Sequence, residues 1–229
     1  MARGTAEAVR KFVSAGGYLC GTTLLIPGTF CFFPSFTDDY YSTGVWIYIV
    51  ACSFLTLAAV VDVVNLFTLT WRDGPGPICM LLGGVLFLTA SILYIPSFYQ
   101  ANTGTWVFRI GSCAYLCGSF VGLYNMYGPK SKAVILSEID SLHDPKKRDS
   151  FGAINDNTTP KTRQKPCVNA GLVVICLFIV GAVMFIIGGV LSQLQMNGFA
   201  ATWMIGSVCF CVGALISFVS QYALIETNN

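Results

Sequence analysis

Small residues recur at a fixed spacing in three successive pairs of apolar segments. In the first segment of each pair, two small residues lie seven positions apart and a break follows six positions later: Gly21, Gly28 and Pro34; Gly83, Ala90 and Pro96; Gly181, Gly188 and Leu194. The second segments keep a spacing of seven throughout: Ala51, Ala58 and Asn65; Gly111, Gly118 and Asn125; Gly206, Gly213 and Ser220. Small residues at this period leave one narrow stripe on a helix, so that helix backbones can approach closely. The pattern therefore predicts three helical hairpins.

The composition assigns the chain to the membrane class. Of its 229 residues, 55% are hydrophobic and only 10% are charged, whereas an average soluble domain has about 25% charged residues. Six apolar stretches have the length of about 20 residues that crosses ~30 Å of hydrocarbon as a helix. They cover residues 13–33, 45–67, 78–98, 106–126, 168–191 and 202–224. We predict an all-α membrane protein with six transmembrane helices, arranged as three tandem two-helix hairpin repeats.

The basic residues predict how these spans are oriented, because lysine and arginine accumulate in cytoplasmic loops. Twelve of the thirteen lie before the first span or in the loops after the second and fourth spans: Arg3, Arg10, Lys11, Arg72, Lys130, Lys132, Lys146, Lys147, Arg148, Lys161, Arg163 and Lys165. The three loops on the other side of the predicted membrane contain no lysine or arginine. Both termini are expected on the cytoplasmic side of a plasma membrane, or on the matrix or stromal side of an organelle inner membrane.

The same pattern divides the chain into four parts. The first hairpin covers 1–72, the second 73–127 and the third 168–229. The segment 128–167 is polar and contains several prolines, which indicates a mobile basic loop. Its first part places Ile135, Ile139 and Leu142 on one helical face, so we expect a short amphipathic helix there, on the membrane surface or on a partner.

Glycines and tryptophans have predicted structural roles. The glycines of the narrow stripes are expected at contacts between helices: Gly17, Gly21, Gly28, Gly83, Gly111, Gly118, Gly122, Gly181, Gly188, Gly206 and Gly213. A tryptophan lies near the start of the second, fourth and sixth spans: Trp46, Trp106 and Trp203. Since an amphipathic ring prefers the headgroup level of a bilayer, we expect all three to be interface anchors.

Four polar residues within the spans are candidates for function. Asp62 is the only acid inside a span, and Asn65 follows it by one helical turn. An intramembrane acid is costly to bury, so it either handles ions or protons or makes a structural polar contact. Arg109 can extend to the headgroups or meet an acid of the first outer loop. Asn125 has the position of Asn65 in the second hairpin, where it either lines a vestibule or bonds the adjoining loops.

The chain lacks the residues of a common active site. His143 is its single histidine, so neither a metal site nor a base-activated nucleophile can be assembled. We expect no catalytic residue, no enzymatic activity, no cofactor and no nucleic-acid partner. The expected partners are membrane lipids and other integral membrane proteins, or further copies of the chain.

One hairpin resembles a known family. Leu82-Gly83-Gly84-Val85-Leu86-Phe87, followed by Trp106 and by Ile110-Gly111-Ser112 through Gly118, resembles the YrhK-like membrane domain. Members of that family are small two-helix units with a Gly-Ser step in the second helix and no established activity. The segment from Ile205-Gly206-Ser207 through Gly213 has a similar sequence. The first hairpin departs from it, with Ala51-Cys52-Ser53 at the corresponding position. The resemblance implies no catalytic residue.

These features support two hypotheses about function. Close-packing residues in every span, with almost no buried charge, favour a non-catalytic structural or accessory subunit that packs against membrane proteins and lipids. The alternative is a small channel or transporter for an ion or solute, with a path near Asp62, Asn65 and Asn125.

Overall fold

The computed structural model describes residues 2–69, 75–98, 100–127, 168–194, 196 and 198–226. These residues form six helices: α1 (Ala2–Phe30), α2 (Thr37–Leu69), α3 (Gly76–Leu93), α4 (Ala101–Tyr127), α5 (Val168–Gln193) and α6 (Phe199–Glu226). The predicted all-α fold is confirmed. The segment 128–167, for which we predict a mobile loop and an amphipathic helix, lies outside the described residues.

Five of the six helices are long and apolar enough to cross a membrane. The apolar windows are Asp39–Val64, Gly76–Leu93, Ala101–Tyr127, Ala170–Gln193 and Phe199–Ala223. The membrane character of the chain is therefore confirmed at this level. α1 is long, at 29 residues, but it is not among the five. Glycine, serine, threonine and Pro27 alternate with its apolar residues, and these lower its mean hydropathy.

The first two predicted breaks are tight turns, and the helices after them begin earlier than the sequence indicates. α2 begins at Thr37 and α4 at Ala101, rather than at 45 and 106. In the first turn the Phe36 amide donates to the Phe33 carbonyl at 2.9 Å, and in the second the Phe98 amide donates to the Ile95 carbonyl at 2.9 Å. Each turn has proline at its second position, where the fixed φ of proline suits a reverse turn.

The six helices form a closed ring. Each helix packs against its neighbours in the chain, and α1 also packs against α6. Because successive helices run in opposite directions, the start of α1 lies at the same end of the ring as the end of α6. We call this end the N-terminal end. The opposite end, which carries the turns after Phe30, Leu93 and Gln193, is the turn end.

Large side chains fill the inside of the ring in three layers. The central layer has one residue from each odd-numbered helix, and all three are fully buried: Leu25, Phe87 and Phe185. The even-numbered helices supply the other two layers, toward the turn end with Tyr48, Phe108 and Trp203, and toward the N-terminal end with Leu55, Tyr115 and Phe210. Ring centroids are 5.9 Å apart for Phe87 and Phe185, 5.3 Å for Phe108 and Trp203, and 5.9 Å for Tyr115 and Phe210.

Small residues of one helix form the sockets for these large side chains. A Cβ atom added to Gly111 would lie 2.7 Å from the Phe87 ring, and one added to Gly83 would lie 2.5 Å from the Tyr115 ring. The corresponding distances are 2.8 Å from Gly181 to Phe210 and 2.8 Å from Gly21 to Leu55. Lipid tails are as apolar as these side chains, so such close packing, rather than removal of water, holds the helices together.

Buried polar groups join one hairpin to the next. Most serine and threonine hydroxyls in the helices donate to the carbonyl four residues earlier, as Ser207 does to Trp203 at 2.9 Å. Contacts of these hydroxyls also cross between hairpins: Thr29 to Ser207 at 3.1 Å and Thr23 to Cys211 at 3.5 Å, both between α1 and α6, and Cys52 to Ser91 at 3.5 Å, between α2 and α3. These weak bonds lie between hairpins, whereas the four sockets described above lie within hairpins.

The socket geometry predicts different effects for two glycines of the same helix. Gly111→Ala is expected to destabilise the protein by about 1–3 kcal/mol, because the fully buried Phe87 ring must move. Gly122→Ala is the matched control, since its Cβ would meet only Ile175 at 3.6 Å, an ordinary contact. Unfolding in detergent micelles measures both. An equal effect of the two substitutions would show that Gly111 is not a socket.

Candidate functional site

Two cavities lie inside the ring, one toward each end. The cavity at the N-terminal end has a volume of about 340 Å³ and is lined by the whole layer of Leu55, Tyr115 and Phe210. The cavity at the turn end has a volume of about 470 Å³ and is lined by the layer of Tyr48, Phe108 and Trp203. The central layer lines neither cavity. Because its three side chains are 0% exposed, it separates the two cavities.

Asp62 lies in the wall of the N-terminal cavity. The Ser14 hydroxyl of α1 donates a hydrogen bond to its carboxylate at 2.5 Å. The other polar side chains of this wall include Lys11, Thr22, Ser217 and Gln221. The single intramembrane acid that the sequence reveals therefore faces the interior of the ring and not the lipid.

One tyrosine hydroxyl of the same cavity has no hydrogen-bond partner in the part of the chain that the structure describes. It belongs to Tyr115, on α4, which is 6% exposed. The Tyr18 hydroxyl of α1 lies beside the Asp62 carboxylate and interacts with it. Buried polar groups are nearly always hydrogen-bonded, so the Tyr115 hydroxyl requires a group that the cavity receives from outside the described residues, such as water or a ligand.

Trp203 is not an interface anchor, contrary to the prediction from its position near the start of α6. It is 4% exposed, whereas Trp46 and Trp106 are 55% and 51% exposed. Trp46 and Trp106 lie five residues before Ala51 and Gly111, but Trp203 lies three residues before Gly206. A difference of two residues rotates a side chain by about 200° around a helix, and so Trp203 points into the turn-end cavity. Its indole nitrogen has no hydrogen-bond partner among the described residues.

Arg109 joins α4 to α5 at the turn end. Its guanidinium donates to the Gln193 side-chain oxygen, and Gln193 in turn donates to Asn102 at 3.2 Å. The guanidinium carbon lies 3.9 Å from the centroid of the Trp106 ring, a cation–π contact. A Cβ added to Gly189 would lie 2.7 Å from the Arg109 side chain. The arginine therefore occupies a groove that only glycine leaves open.

The structure does not bring the four polar candidates together. Asp62 lines the N-terminal cavity, and Arg109 lies toward the turn end. Asn65 follows Asp62 in α2, while Asn125 is exposed near the end of α4 and is not part of the cavity wall.

Six more of the predicted packing glycines also lie closely against a neighbouring helix: Gly17, Gly28, Gly118, Gly188, Gly206 and Gly213. Gly122, in contrast, has only an ordinary contact.

Sequence reasoning missed the large residues that line both cavities. They occupy fixed positions relative to the small ones, three before and four after the first small residue of each even-numbered helix. This regular spacing of large residues was present in the sequence. It was not recognised because the residues are of mixed types, namely tyrosine, leucine, tryptophan and phenylalanine, which are alike in volume but not in chemistry.

The lining side chains determine which contacts the N-terminal cavity can make. Within the described residues, no group of three or more histidine, cysteine, aspartate or glutamate side chains could hold a metal ion. What the N-terminal cavity offers is one carboxylate, one lysine ammonium, several hydroxyls and aromatic faces. It can accept and donate hydrogen bonds and can attract a cation.

Comparisons with known proteins supply no further guide. No protein-family model matches this chain. The search of curated proteins gives no match, and the search of solved structures gives none either. The resemblance of residues 82–118 to the YrhK-like domain stays a prediction.

The contact between α1 and Asp62 leads to a stability prediction. Ser14→Ala is expected to cost about 1–3 kcal/mol, because the carboxylate loses its hydrogen-bond donor in a largely apolar wall. Ser53→Ala is the control, since Ser53 donates only within its own helix, to Ile49 at 2.8 Å. Both are measured by unfolding in detergent. A cost for Ser14→Ala no larger than that of the control would contradict a role for this bond.

Proposed function

We propose that this chain is a six-span, non-catalytic integral membrane protein that acts as a structural or accessory subunit, packing against other membrane proteins and lipids. The observation that carries the proposal is the distribution of apolar surface. Large apolar side chains are exposed on every helix, among them Val13, Leu57, Leu82, Ile110, Ile187 and Ile205. Apolar surface of this extent requires a cover of lipid tails or of other transmembrane helices.

The assignment of α1 as the sixth span rests on its place in the ring. Its 29 residues correspond to about 43 Å at 1.5 Å per residue, enough to cross a bilayer. It packs against α2 and α6, both of which are apolar enough to span. A helix inserted between two spanning helices can have lower hydropathy, because part of its surface faces protein rather than lipid.

We further propose that the three hairpins are internal repeats and that both termini lie on the cytoplasmic, matrix or stromal side. The recurrence of the sockets in all three hairpins supports the first statement. The second follows from the twelve basic residues on one side of the predicted topology. The membrane is a plasma membrane or an organelle inner membrane.

Topology mapping tests the six spans. Tags placed at the N-terminus, after residue 155 and at the C-terminus are expected to be reactive from the same side of sealed vesicles. A tag inserted after Gln100 is the control and is expected on the other side. Five spans instead of six would place the N-terminal and C-terminal tags on opposite sides.

Native mass spectrometry after mild extraction tests the subunit role. The chain is expected in an assembly with other integral membrane proteins or with further copies of itself, because its exposed apolar faces need partners. Extraction in a harsh detergent, which strips lipids and partners, is the control. A lone monomer under both conditions would contradict the proposal.

A second candidate function is transport of an ion or solute, favoured by the position of Asp62 in a cavity wall. Transport requires the central layer to move, because Leu25, Phe87 and Phe185 separate the two cavities. Asp62→Asn is then expected to abolish a proton- or ion-dependent flux in liposomes. Asp39→Asn, on the exposed start of α2, is the matched control. An unchanged flux in Asp62→Asn would remove Asp62 from the mechanism.

A further inference from the structure

We propose that the N-terminal cavity is a binding site for a small organic cation, a protonated amine carried on an apolar body. The site consists of the Asp62 carboxylate, the hydroxyls of Tyr18 and Tyr115, and the rings of Phe178 and Phe210. Binding at this site is independent of whether the chain acts as a subunit or as a transporter.

The Asp62 carboxylate favours a cationic ligand. The groups that interact with it are the neutral hydroxyls of Ser14 and Tyr18. A carboxylate in an apolar wall is costly unless a cation or further donors stabilise it. A ligand ammonium supplies both the charge and up to three donors.

The aromatic walls favour the same ligand. The Phe178 and Phe210 centroids are 5.6 Å apart in an edge-to-face arrangement, and the Tyr115 centroid lies 5.9 Å from that of Phe210. Faces of aromatic rings attract cations, and a group of such rings is a common way to recognise ammonium ligands. The apolar body of the ligand would lie against Leu55 and Met80, which line the same wall.

The unpartnered hydroxyl of Tyr115 indicates that the ligand also carries a hydrogen-bonding group or is accompanied by water. The Tyr115 oxygen is buried and without a hydrogen-bond partner in the described part of the chain. This tyrosine lines the cavity that contains Asp62. A ligand or its hydration water would therefore satisfy a group whose burial is otherwise unfavourable.

The dimensions of the cavity limit the ligand further. A volume of about 340 Å³ lies at the lower end of the range of small-molecule pockets, about 300–1,000 Å³. This favours a compact amine over a two-chain lipid. Lys11, an exposed residue with an interaction of its own, is the cationic side chain among the described residues of the wall.

Calorimetric titration of the purified full chain in lipid nanodiscs tests the proposal with defined probes. 2-Phenylethylamine and tryptamine, both protonated at pH 7, are expected to bind saturably at one site per chain. 2-Phenylethanol, which has the same body without the charge, is expected to bind at least ~10-fold more weakly, as a hydrogen-bonded charge pair is worth about 1.5–3 kcal/mol. Failure of both amines to bind at millimolar concentration, or equal binding of the alcohol, would overturn the proposal.

Variants locate the binding site. Asp62→Asn is expected to weaken binding of the amines at least ~10-fold and to leave binding of the alcohol unchanged. Asp39→Asn is the matched control and is expected to bind as the unsubstituted chain does. Ser217→Leu, which fills the cavity wall and keeps Asp62, is expected to weaken both the amines and the alcohol, and it provides a second test if Asp62→Asn fails to fold. Full amine binding by either folded variant would overturn the proposed site.

Discussion

The fit of large side chains into sockets formed by small residues is the interaction on which the rest of the structure depends. Gly111 leaves room for Phe87, and Gly83 leaves room for Tyr115 on the same pair of helices. In a bilayer the hydrophobic effect does not drive one helix against another, so van der Waals contact of this kind has to supply the association. A regular spacing of seven brings each socket to the same side of its helix, and three hairpins can then close into a ring.

The central layer connects this packing to function. Leu25, Phe87 and Phe185 are completely buried, Phe87 and Phe185 lie against Gly111 and Gly206, and the three side chains divide the interior of the ring into two separate cavities. A divided interior favours binding over continuous conduction. The cavities differ in chemistry: the one at the N-terminal end contains an acid, whereas the described wall of the other is uncharged and contains the indole nitrogen of Trp203. The two ends of the ring are therefore suited to different ligands.

Departures from the regular pattern carry the distinctive chemistry. Asp62 occurs in the first hairpin alone and binds Ser14 across to α1. Arg109 occurs in the second alone and bonds Gln193 across to α5. Residue type and position were enough to single out both of them in the sequence. Their partners were not predictable, because Ser14 and Gln193 are 48 and 84 residues away, and only the packing of neighbouring helices brings them near.

The sequence by itself determined the helical membrane fold, the helix pairs and the glycines of the contacts, because the period of small residues and the length of apolar stretches are local properties. It did not determine which side of each helix faces the interior. Trp203 differs by only two residues from Trp46 and Trp106 in its position along the helix. It is nevertheless buried inside the ring, whereas the other two are exposed. The cavities, their separation by the central layer and the setting of Asp62 were decided by the tertiary structure, since each depends on side chains from several helices that meet only when the ring closes.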